Sequence, residues 1–152
     1  MMRTAGFAVL ALGLLAGCHP PRAPGAGLSV SDARLVLAAV PGHPAAAYFI
    51  ITNQGSAPVT VTGIEIAGVG HSEMHQTDGG AMRSLPTLAV PAGQAMAFSP
   101  GGRHVMAFAP STTLRPGATG QITLHFADGG HRSAPLRIEA AGGGNAMAGM
   151  TM

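Results

Sequence analysis

The chain has no tryptophan and no lysine, and only one cysteine, one tyrosine and five phenylalanines in 152 residues. Charged residues make up 9% of it, and all eight basic ones are arginine. No basic run could follow a phosphate backbone, and no set of aromatic rings could stack bases, so nucleic-acid binding is excluded. The single cysteine, Cys18, lies close to the start. Everything after it lacks a thiol, and so lacks disulfides, thiolate nucleophiles and thiolate metal ligands. Carboxylates are as scarce. Asp32, Glu65, Glu73, Asp78, Asp128 and Glu139 are the whole set, and no two are placed for acid–base work. There is no Gly-x-Ser-x-Gly elbow and no phosphate-binding loop. These gaps argue against an enzyme.

What is present is 47% hydrophobic residues with 23 glycines and 12 prolines. That mixture reads as turn-rich β structure built from small side chains, long enough for one compact domain with flexible ends.

The first 17 residues read as a lipoprotein signal peptide. Arg3 is the positive start, and the apolar run 6–16 is too short to span a bilayer comfortably. It closes on Leu15-Ala16-Gly17-Cys18, which resembles a lipobox, the processing signal of bacterial lipoproteins. That resemblance implies that Cys18 is acylated and becomes the mature N-terminus. The alternative is an ordinary cleaved signal peptide with an incidental cysteine. Residues 18–27, with three prolines, would be the lipidated cysteine and a tether. The expected location is the periplasmic side of a bacterial membrane. His19 is no retention signal, which favours the outer membrane.

From residue 28 onward, short alternating segments separated by turn residues predict strands. The expected strands are 28–37, 46–52, 59–66 with an irregularity at Gly63, 70–76, a stretch ending at Val90, 94–98, 103–108, 120–126 and one near 135–139. No stretch carries a capped 3.6-residue period. Eight or nine strands predict an all-β antiparallel sandwich or barrel over 28–139. Residues 140–152 (AAGGGNAMAGMTM) are too glycine-rich to pack and read as a flexible tail.

His104-Val105-Met106 places an imidazole and a thioether on one face of a strand, because residues i and i+2 point the same way. Taken alone, such a pair is more often a surface histidine and a core methionine. Upstream, His71, Glu73 and His75 also share one face, and Met82 follows the turn Asp78-Gly79-Gly80. Soft thioether selects copper(I), which imidazole also suits, and methionine forms no disulfide outside the cytoplasm. Met74 faces the other way and reads as core, as does Met96. His125 reads as a satisfied structural histidine, and His43 and His131 as solvated loop residues.

The segment VPAGQAMAFSPGGRHVMAF (90–108) resembles the core of the periplasmic copper chaperone family written PCu(A)C. So do AAAYFIITNQGSAPVTVTGIEIAG upstream and LRPGATGQITLHFADGG downstream, so the likeness runs over residues 28–139. Members carry a histidine, a methionine after ten further residues, then twenty-one residues and a His-x-Met. Met82, twenty-one residues, His104 and Met106 fit the second half of that pattern. The first histidine is ambiguous. His71 has the right spacing to Met82, whereas Glu73-Met74-His75-Gln76-Thr77 has the family's local context and requires a loop about four residues shorter. His75 is favoured, with His71 as its neighbour.

The resemblance implies a cupredoxin-like Greek-key sandwich. It also implies a site in which His75 or His71, Met82, His104 and Met106 hold one copper(I); Glu73, on the same strand face as the histidines, is expected to orient one of them from behind. It implies transfer to an acceptor such as the CuA subunit of cytochrome oxidase or an assembly factor. Met147, Met150 and Met152 could be auxiliary ligands or a passive end. An electron-transfer cupredoxin needs a cysteine thiolate that this domain lacks. A metal-independent envelope lipoprotein remains the competing expectation.

Overall fold

The computed structural model describes residue 25 and residues 27–143. Cys18 and the methionines Met147, Met150 and Met152 lie outside the described residues. Ten strands follow one another: β1 (Leu28–Leu37), β2 (Ala45–Asn53), β3 (Val59–Ile66), β4 (Val69–Asp78), β5 (Ala81–Ser84), β6 (Leu88–Val90), β7 (Ala95–Phe98), β8 (Arg103–Pro110), β9 (Thr119–Phe126) and β10 (His131–Ala140).

Their hydrogen-bonded order is β5-β4-β8-β2-β1-β10-β9-β3-β6, and β7 shares an edge of β2 with β8. β3 and β4 touch although they stand near opposite ends of that order. The sheet therefore curls onto itself and encloses its core, as an all-β sandwich does. Two expectations need correction. The pairing of β1 with β10 is parallel, not antiparallel, because the first and last strands meet side by side in the middle of the sheet. The single stretch expected before Val90 is two strands, β5 and β6, which leave to opposite edges around Leu85 and Pro86.

Alternation generates the core. On β2, Ala45, Ala47, Phe49, Ile51 and Asn53 point inward. Ile122, Leu124 and Phe126 of β9 and Leu136 and Ile138 of β10 do the same. Phe49 stacks on Phe98 at 4.3 Å between ring centroids. Among the described residues Asn53 is a fully buried polar side chain, and both its amide group and its carbonyl oxygen are hydrogen-bonded. Its amide donates to the carbonyls of Ala57 (2.8 Å) and Val90 (3.1 Å), and its oxygen accepts from Gly55 N–H (2.9 Å). A buried polar group satisfied in this way clamps the β2 end to the strand before Pro91. The irregularity expected at Gly63 is present, as a register shift between Val61 and Gly63 against β9.

Candidate metal centre

β4 lies between β5 and β8, and its registers with both fix what stands beside what. Against β8, His71 pairs with Phe108, Glu73 with Met106 and His75 with His104. Against β5, Thr77 pairs with Met82 and His75 with Ser84. Directly paired residues of neighbouring strands project to the same face. That face is the outer one, because Met74, Val105 and Ala107 occupy the inner face and are buried.

His75 is the hub of this arrangement. His104 stands directly opposite it, with ring centroids 5.9 Å apart. Met106 on one side and Met82 on the other occupy diagonal positions, a spacing of about 7 Å that long side chains can bridge. His71 lies six residues up β4 from Thr77, about 20 Å from the position opposite Met82 at strand rise. Its ring is stacked flat on Phe108 at 4.6 Å, and its side chain is 62% exposed. The register thus places His104 opposite His75, with Met106 and Met82 diagonal to it on either side, and sets His71 against Phe108.

The two central imidazoles are held in different ways. His104 is only 7% exposed, and its Nδ1 lies 3.1 Å from the carbonyl of Gly102. A carbonyl can only accept, so Nδ1 carries the proton and Nε2 keeps its lone pair. The same carbonyl accepts Thr77 N–H at 3.1 Å, which ties the turn before β8 to β4. Gly101 permits that turn with φ of +80°, a conformation open to glycine.

His75, with its side chain 15% exposed, has Nε2 at 3.2 Å from the Glu73 carboxylate. A carboxylate is acceptor-only when ionised, so Nε2 is the protonated nitrogen. In the neutral ring Nδ1 is then the lone-pair nitrogen, and it is buried with no hydrogen-bond partner. An unfilled buried acceptor costs about 1–3 kcal/mol. Glu73 also reaches His71 at 3.8 Å, so one carboxylate spans both histidines of β4.

Met82 is 54% exposed on the edge strand β5, while Met106 is half-buried. Among the described residues no three His, Cys, Asp or Glu side chains form a ready cation cage. Met74 and Met96 pack with the core, as their strand positions predict. His131 departs from expectation, since it opens β10 directly opposite His125. Sequence reasoning missed Phe108 and the Gly102 carbonyl, although the latter sits two residues before His104, where a backbone acceptor is in reach.

A family model described as LpqE-like lipoprotein matches residues 28–138. The chain belongs to the LpqE-like family. A lipoprotein of Leifsonia xyli subsp. xyli is 30% identical to this LpqE-like chain over 158 aligned positions, covering 95% of it and 93% of the relative. Among solved structures, the copper-bound PCuAC domain of PmoF2 superposes with a TM-score of 0.64 at 19% identity, covering 75% of this chain and 93% of that one. The copper(I) form of DR1885 from Deinococcus radiodurans gives a TM-score of 0.60 at 26% identity, covering 80% and 87%. The LpqE-like chain therefore has the cupredoxin-like fold of PCuAC domains.

Proposed function

We propose that this LpqE-like protein carries one copper(I) ion on the outer face of β5, β4 and β8 and hands it to an acceptor protein. The ligands are His75 through Nδ1, His104 through Nε2, and the thioethers of Met82 and Met106. The observation that carries this reading is the buried, unpartnered Nδ1 of His75, in a ring directly across from a second imidazole whose free nitrogen is fixed as Nε2. Two neutral nitrogens and two soft sulfurs suit copper(I) and leave harder ions poorly served. The copper(I)-loaded DR1885 structure, with its shared fold, supports the choice of metal.

Transfer follows from unequal exposure. Met82 sits on an open edge and is the donor an incoming ligand displaces first, whereas His104 is buried and leaves last. The protein acts as a carrier, not an enzyme. Cys18 supplies a lipid anchor on the periplasmic side of the membrane. The acceptor is a copper-binding protein such as the CuA subunit of cytochrome oxidase or an assembly factor. Met147, Met150 and Met152 assist capture from the tail, and His71 stays outside the ligand set.

Titration with copper(I) against a competing chelator tests this. His75→Ala, His104→Ala, Met82→Ala and Met106→Ala should each weaken binding at least about tenfold, a loss of about 1.4 kcal/mol. His71→Ala should stay within about twofold of the parent, less than 0.5 kcal/mol. Unchanged affinity in the His104, Met82 and Met106 variants removes the proposal, and a larger loss for His71→Ala than for His75→Ala reassigns the first histidine.

A further inference from the structure

A second histidine pair stands far from β4 in the strand order, on β9 and β10. His125 and His131 are directly opposed across these antiparallel strands. Both are exposed, and both lie on the outer face, since Ile122, Leu124, Phe126, Leu136 and Ile138 take the inner one. Their ring centroids are 6.4 Å apart with planes tilted by 42°. Two imidazoles sharing an ion, with metal–nitrogen bonds of about 2.0–2.1 Å, have centroids about 5–6 Å apart. The backbone has already brought them close to that separation.

A third donor comes from β3. Glu65 Oε2 lies 3.4 Å from His125 Nε2, and Glu65 is diagonal to His125 in the β3–β9 register. The residue directly opposite His125 on β3 is Gly63, where an added Cβ would meet nothing closer than His125 Cβ at 4.0 Å. The sheet surface beside His125 is open on that side. The hairpin beneath is fixed. Phe126 N–H donates to Gly130 O at 2.9 Å, and Gly130 N–H donates to Asp128 Oδ1 at 2.9 Å.

We infer that His125, His131 and Glu65 form a second metal site, for a divalent transition ion. Two imidazoles and one carboxylate, with no sulfur, suit borderline ions such as copper(II) and zinc(II) and not copper(I), with copper(II) bound more tightly. In the present arrangement the three side chains do not close on one point. Binding exchanges the Glu65–His125 hydrogen bond for metal bonds and rotates the exposed His131 ring, both inexpensive at a solvated surface. With copper(I) on β5, β4 and β8 as proposed above, the two sites divide copper by oxidation state; the divalent site itself does not need that reading.

The test uses the full chain labelled with nitrogen-15 and zinc(II) chloride as probe. Saturable shifts of the amides of Leu124, Phe126 and Arg132 are expected, with the His125→Ala and His131→Ala variants weakened at least tenfold. Copper(II) added to the His75→Ala/His104→Ala double variant should give an electron paramagnetic spectrum with nitrogen coupling that His131→Ala removes. The His125→Ala/His131→Ala double variant should keep copper(I) affinity within twofold of the parent. Absence of saturable zinc shifts at this hairpin, or a His131→Ala variant within twofold of the parent, overturns the inference. Both side chains are exposed, so neither outcome turns on a failure to fold.

Discussion

Replacing Glu73 separates orientation of a ligand from ligation itself. The carboxylate accepts from His75 Nε2 at 3.2 Å and thereby leaves Nδ1 free on the buried side. Removing it with Glu73→Ala frees the ring to turn and to place its proton on either nitrogen. Outer partners of metal-binding histidines contribute about 10–100-fold to affinity. Glu73 is 49% exposed, so water can partly take its place, and the lower end, about tenfold, applies here. Glu73→Gln keeps an acceptor for Nε2–H and loses only the charge, so it should fall between parent and alanine variant.

The assay is a competitive copper(I) titration, paired with thermal unfolding. The Glu73 side chain is half exposed, so its loss should change stability by less than about 0.5 kcal/mol, a shift in Tm of about 2 °C. The ordering parent, glutamine, alanine in affinity with constant Tm supports an orienting carboxylate. Equal affinity in all three, or tighter binding in the alanine variant, would refute the proton placement on His75.

Asn53→Ala strips three hydrogen bonds from a fully buried position. It should cost about 2–4 kcal/mol, lowering Tm by roughly 10 °C or more, with copper(I) affinity of the folded fraction unchanged. Gly101→Ala meets no steric obstacle, yet its φ of +80° is unfavourable for alanine. Denaturant unfolding should show a loss of about 1 kcal/mol, accompanied by a severalfold weaker site because the Gly102 carbonyl that fixes His104 shifts. Deleting residues 146–152 should slow copper transfer to an acceptor or lower the copper stoichiometry, and no change in either would leave the tail without a role.

Most strands were legible because they alternate with a two-residue period between glycine and proline turns, and even the irregularity at Gly63 was visible as a glycine inside an alternating run; β5, exposed at every position, carries no such period and was not told apart from β6. The parallel meeting of β1 and β10 was not, because it joins residues about a hundred positions apart and leaves no local trace. The same limit applies to the site. Periodicity put His71 and His75 on one face, but only the β4–β8 register puts His75 opposite His104 and His71 opposite Phe108. The His125–His131 pair was hidden for a similar reason. A histidine one residue after Asp-Gly-Gly looks like a loop residue until β10 is seen to begin there.

X-ray absorption at the copper edge of the copper(I)-loaded protein bears most directly on a mixed nitrogen and sulfur site. The parent should show two sulfur and two nitrogen neighbours, and Met82→Ala should lose one sulfur while retaining both nitrogens. A first shell of oxygen and nitrogen alone, or a sulfur count that Met82→Ala leaves untouched, would contradict it.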